Sequence, residues 1–232
     1  MKKTTLCLLG LLFLFVSFPV QAHYVGLTDH TEEGFKFSAL YSHSQGDFEA
    51  RDTESELELT SQLAAARVDL TLFEKLQFHG LIGTSFIDFA DSSPEDGTVY
   101  GGGAQYLFEP GNGYYLKLTG SFLEHETQDY DDSDEHFEIT TDWQAGIMIG
   151  QKLTQQLKWE ETETFSTYLG GIYSERKLES GAHQGKYELE DLSGASLVAG
   201  VKYTFTDFLL LEGEGQLGAE TGVGGRMIYR WK

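Results

Sequence analysis

The sequence predicts an all-β chain: a closed antiparallel up-and-down barrel of ten strands, with an outer wall apolar enough to face lipid. Three observations lead there. Apolar and polar residues alternate along most of the chain, the period of a strand with one greasy and one wet face. The chain has 27 glycines, 3 prolines and 13% aromatics, the composition of a transmembrane barrel whose signal is weak in any one segment. Finally, nothing reads as an amphipathic helix or a second core that could cover the apolar face, which leaves acyl chains as its cover.

The pattern is clearest from Val201 to Trp231. Val201, Tyr203 and Phe205 alternate with Lys202 and Thr204, and a Thr206-Asp207 break follows. Leu209, Leu211, Gly213, Gly215 and Leu217 then alternate with Glu212, Glu214 and Gln216. Beyond an Ala219-Glu220-Thr221 turn, Val223, Met227, Tyr229 and Trp231 share one side, while Gly224, Arg226, Ile228 and Arg230 share the other.

Taken from the start, residues 1–22 have the layout of a cleaved export signal. Lys2 and Lys3 precede an apolar run from Leu6 to Phe18, and Val20-Gln21-Ala22 offers a small-residue cleavage site. Cys7 lies inside that segment, so the mature chain from His23 is expected to carry no thiol, disulfide or cysteine-ligated metal. No proline-rich or serine-rich linker divides residues 23–232, which are expected to form one domain. A polar lead to Glu33 precedes strand 1, about Gly34 to His43, with Phe35, Phe37, Ala39 and Tyr41 on one face. Strand 2, about Leu59 to Leu72, sets Ala64, Ala66, Val68 and Leu70 against Arg67, Asp69 and Thr71.

Phe73-Glu74-Lys75 is a tight turn into strand 3, about Leu76 to Phe89, whose apolar residues fall in both registers and leave its faces unassigned. Strand 4 opposes Tyr100, Ala104, Tyr106 and Phe108 to Gly101, Gly103 and Gln105, and Pro110-Gly111-Asn112-Gly113 closes it with residues that tolerate positive φ. Strand 5 is expected from Tyr114 to Leu123, and strand 6 from Ile139 to a turn at Thr154-Gln155-Gln156. Strand 7 requires a bulge or a late membrane entry, because Glu161 and Glu163 would otherwise share a face with Leu157, Trp159 and Phe165. Strand 8 and the final hairpin complete ten; eight is the alternative, should strands 3 and 4 be misread.

Short polar breaks alternate with long acidic connections at 44–58, 88–96, 124–138 and 174–191. This is the layout of an outer-membrane barrel, with tight periplasmic turns and long outer loops. The closing run Gly222 to Trp231, with alternate Val223, Met227, Tyr229 and Trp231, resembles the terminal strand of the small Gram-negative outer-membrane barrels, the OmpA-like, opacity-like and porin-family superfamily. In those families the last residue is usually the aromatic one, read by the barrel-assembly machinery, whereas here Lys232 follows Trp231. The resemblance implies the outer membrane as location and that machinery as a partner.

Charge separates the two rims from the lumen. The formal net charge is −21, and nearly all of it falls in the four long connections, which argues against nucleic acid as a partner. These acids read first as a solvated face. A second reading bridges them, Asp129, Asp131, Asp132, Asp134 and Glu135 above all, through divalent cations to lipopolysaccharide phosphates. Outer-membrane lipids are then the expected partners of a monomer without a cofactor or a defined metal site.

Inward registers collect Lys36, Lys117, Asp142 and Lys202 together with the candidate site, the lumen charges Glu212, Glu214, Arg226, Arg230, Arg67 and Asp69. Glu212 and Glu214 run beside Arg226 and Arg230, close enough for cross-strand pairs that would close the bore. The expectation is a structural or surface-interaction protein with a narrow, charge-paired lumen. A small diffusion pore is the alternative.

A lipid- or peptide-modifying enzyme is the third reading. It would draw on His43 with Ser42 and Ser44, on Asp88, Asp91 and Ser92, and on His125 and His136; the same two histidines with Glu124, Glu126 and Glu138 could bind zinc. No catalytic residue is assigned. Tyr41, Tyr100, Tyr106, Trp143, Trp159, Tyr229 and Trp231 are expected on the outer face as interfacial aromatics.

Overall fold

Alternation along each strand sets one row of side chains inward and one outward, and ten such strands close on themselves. The computed structural model describes residues 34–49, 56–89, 95–127, 137–157, 160–180, 192–206 and 208–231. The strands are β1 (Gly34–Glu49), β2 (Glu56–Leu72), β3 (Leu76–Phe89), β4 (Glu95–Gly111), β5 (Tyr114–Thr127), β6 (Phe137–Leu157), β7 (Glu160–Ser180), β8 (Leu192–Thr206), β9 (Leu209–Gly218) and β10 (Thr221–Arg230). Each pairs antiparallel with its sequence neighbours, and β1 pairs with β10 to seal a ten-stranded barrel, which removes the eight-strand alternative. Among the described residues there is no helix.

The outer wall decides the solvent. Ile82, Ile149, Leu169 and Leu197 are each 62% exposed, alongside Phe35, Phe78, Phe122 and Met227. Leaving such side chains in water forfeits roughly 1.5–3 kcal/mol apiece, and soluble monomers rarely expose apolar patches beyond a few hundred Å². Hydrocarbon is their matching solvent. Tyr41, Tyr106, Trp143, Tyr229 and Trp231 are on this outer face as the alternation predicts, and so is the half-buried Tyr100, opposite Ile82 and Glu124; Trp159 lies outside the described residues.

Turn chemistry fixes one rim. Phe73 and Glu74 both take positive φ, 54° and 56°, and Lys75 N–H donates to the Leu72 carbonyl at 3.3 Å, a type I′ turn built without glycine. Gly111, Asn112 and Gly113 likewise take positive φ in the turn expected there. Between β6 and β7 the reading needs correction: strand continues through Thr154-Gln155-Gln156 to Leu157. An extra residue, Thr164, sits between Phe165, opposite Leu153, and Glu163, opposite Thr154. A bulge is one of the two expectations for strand 7, and it shifts the register of residues 160–163 by one relative to the rest of β7.

On the opposite rim the strands run further than expected. β1 extends to Glu49 and pairs with β2 from Glu56, β5 reaches Thr127, and β7 reaches Ser180. Much of what reads as acidic loop is therefore strand. There the inward residues are themselves polar, as at buried His125, Ser174 and Arg176, so the hydropathy alternation disappears while the backbone ladder continues. Residues 1–33, including the expected export signal, lie outside the described residues, as do Asp129 to Glu135.

Glycines shape the interior. Tyr115 on β5 is directly paired with Gly150 on β6, Tyr168 on β7 with Gly200 on β8, and His79 on β3 with Gly103 on β4. In each pair a Cβ on the glycine would collide with the facing ring. The rings lie flat over backbone and fill the bore sideways. Two inward apolar clusters result, one built from Leu107, Tyr115, Met148, Tyr168, Ile172 and Val198, the other from Leu40, Leu63, Ala65, Val99 and Leu123.

Candidate functional site in the barrel lumen

The charged lumen begins on β9 and β10, where the register pairs Glu212 with Arg226. Glu212 Oε2 accepts from Arg226 Nη2 at 2.8 Å and from Nε at 3.1 Å. The other edge of the guanidinium, Nη1, lies 3.5 Å from Asp69 Oδ2 on β2, and Asp69 Oδ1 accepts from Arg67 Nε at 2.8 Å. A chain Arg67, Asp69, Arg226, Glu212 therefore reaches from β2 past β1 to β9, with all four side chains buried. Charges taken out of water this completely persist only when paired, since each isolated ion would cost several kcal/mol.

Glu214, two residues along β9, turns elsewhere. Its register neighbour on β10 is Gly224, which offers nothing, and its Oε2 accepts from the Tyr168 hydroxyl at 2.5 Å. Lys117, fully buried on β5, points its Nζ at the same ring, 5.8 Å from the centroid, and takes no hydrogen bond among the described residues. Cation–π attraction and the nearby carboxylates of Glu212 and Glu214 supply its compensation. Arg230 lies four residues beyond Arg226 toward the tight-turn rim, opposite Lys36 on β1 and outside the register of Glu212 and Glu214.

Two charged residues that the sequence reading left in connections belong to the lumen. Arg176 on β7 lies 3.2 Å from Asp142 Oδ2 on β6 and 3.5 Å from Glu220 Oε2 in the β9–β10 turn, and all three are buried. Continued alternation through Ser174 and Arg176 would have revealed the first. Nothing in a two-residue turn announces that Glu220 points inward.

The described members of the catalytic and zinc sets fall on different faces of the wall. Ser42 and Ser44 are buried inward positions while His43, between them, belongs to the outward row, so they cannot act together. Glu124 and Glu126 are exposed on the outer face, whereas His125 is buried in the bore. Its Nδ1 instead lies 3.4 Å from Ser85 Oγ, across the side-chain-free Gly97. Asp91, Ser92 and His136 lie outside the described residues. Among the described residues no group of three or more His, Cys, Asp or Glu is placed to hold a metal ion.

A closed antiparallel barrel with a lipid-facing wall and a paired-charge lumen is an outer-membrane β-barrel, the class that spans that membrane with strands. One solved structure supports the fold, and two others are similar to the chain. An outer membrane channel from Pseudomonas putida F1 matches at a TM-score of 0.52 and 13% identity over 88% of this chain and 98% of that one. The translocator domain of the autotransporter NalP from Neisseria meningitidis matches at 0.46, with 15% identity over 88% and 90% of the two chains. The transport unit of AIDA-I from Escherichia coli matches at 0.45, with 11% identity over 90% and 94%. No protein-family model and no curated protein sequence matches the chain.

Proposed function

We propose that this barrel is a closed, non-catalytic envelope protein: a scaffold anchored by its apolar belt that presents an acidic surface outside. The observation that supports this reading is the filling of the bore. Among the described residues the inward side chains are almost all buried, and the Arg67, Asp69, Arg226, Glu212 chain shares the bore with two apolar clusters. A narrow barrel filled by its own side chains gains rigidity and leaves no path for solute. Steady single-channel steps from the purified protein in planar bilayers would overturn the reading; electrical silence at voltages where a porin control conducts is expected.

The acidic outer rim fits a surface that meets lipopolysaccharide through divalent cations. On this reading, partition into lipopolysaccharide-containing vesicles rises with added Mg²⁺ and reverses with chelator. A diffusion pore is the second reading. Its support is the similar fold of the outer membrane channel from Pseudomonas putida F1 and a lumen that carries both signs of charge.

A further inference from the structure

The mouth of the barrel is closed differently from its middle. β9 and β10 are ten residues each, the shortest strands, and the Ala219-Glu220 turn joining them sits below the tops of their neighbours. β1 and β8, with β10 and β9 between them around the wall, come within 8 Å of one another. Glu220, though part of a turn, is 1% exposed and extends into the bore toward Arg176. The backbone of the turn rests on β8: Ala219 N–H donates to the Ala195 carbonyl at 3.2 Å, and Ser196 Oγ lies 3.4 Å from both the nitrogen and the oxygen of Glu220.

The two guanidinium clamps differ in quality. Arg226 grips Glu212 with two nitrogens at 2.8 and 3.1 Å. Arg176 serves both Asp142 and Glu220 with the single Nη2 at 3.2 and 3.5 Å, while its buried Nε has no protein partner. Short two-nitrogen contacts are the strong ones, so the mouth is the weaker closure. Beneath the turn, both side-chain atoms of buried Gln216 and the Oε1 of Gln144 also lack a protein partner. Polar groups left dry are unfavourable, and an opening that admits water would satisfy them.

We infer that the β9–β10 turn is a lid, latched by Arg176 to Glu220, that opens to admit water and small polar solutes to the upper bore while the Arg226 layer below stays shut. Local opening of this kind draws on the least stable contacts of a fold. The inference goes beyond the closed-scaffold reading, and the two fail separately, since a lid can move above a bore that never conducts.

Cysteine labelling tests it. Gln216→Cys in a Cys7→Ser background places one thiol under the turn, to be modified by a membrane-impermeant maleimide applied to intact cells. The wild-type latch should keep labelling slow relative to Thr221→Cys at the rim. Arg176→Gln and Glu220→Gln should each speed it by at least about tenfold, the factor expected from losing one charge-assisted hydrogen bond. Lys152→Gln, which breaks the pair with Glu109 at the opposite rim, should not. Heat-modifiable mobility on gels reports that each variant is folded, and Glu220→Gln, which keeps the Arg176 contact to Asp142, decides the matter should Arg176→Gln fail to assemble. Unchanged labelling in the folded latch variants, or wild-type labelling as fast as the rim control, would overturn the lid.

Discussion

Tyr168 lies flat over Gly200, its direct partner on the neighbouring strand, and from there its hydroxyl reaches Glu214 at 2.5 Å. The glycine makes room for the ring, and the ring carries the hydrogen bond across the bore. Gly200→Ala should therefore destabilise the barrel by about 1–3 kcal/mol through overpacking. Tyr168→Phe, which keeps the stacking, should cost about 1.5–3 kcal/mol by leaving a buried carboxylate short of a donor. Urea unfolding in detergent micelles measures both. If the ring and its hydrogen bond form one unit, the double variant falls short of the sum.

Arg226 serves two carboxylates at once, Glu212 and Asp69. Arg226→Met is expected to cost about 3–5 kcal/mol because Glu212 would then be a buried charge without its main partner. Adding Glu212→Met should recover much of that loss, since a buried pair replaced by apolar groups is often close to neutral. Unfolding midpoints that rank the double variant below the single one would contradict the pairing.

The lipid-facing assignment is checked at Leu169. Its side chain is 62% exposed on the outer wall, so Leu169→Arg should cost about 2–4 kcal/mol in a bilayer if it lies near the midplane. Inserting a charge on a water-exposed face would cost almost nothing. Folding titrations in liposomes separate the two cases, and quenching of Trp143 by brominated lipids should place that ring near the interface.

Phe73 and Glu74 hold left-handed backbone with side chains that resist it. Replacing them by Asn-Gly, the pair best suited to a type I′ turn, should stabilise the protein by roughly 1 kcal/mol. A lower unfolding midpoint would mean that the exposed Phe73 ring contributes through the interface more than its backbone costs.

The sequence by itself determined the class and the facing of most strands, β3 excepted. Alternation with period two is imposed by the pleat, so Arg67, Asp69, Lys117, Glu212 and Arg226 could be sent inward before any strand was placed. Glycine-bearing turns marked Pro110 to Gly113 for the same local reason. Only the tertiary structure decided which charges meet, because a partner depends on register and on what stands opposite. Glu214 faces Gly224 on β10 and so turns to Tyr168, while Arg226 reaches past β1 to Asp69. It also decided where strand gives way to loop, since hydropathy falls silent once the residues of both faces are polar, as they are around His125 and Arg176. Glu220 entered the lumen for a reason no local pattern contains: a short hairpin between taller neighbours brings its turn within reach of Arg176.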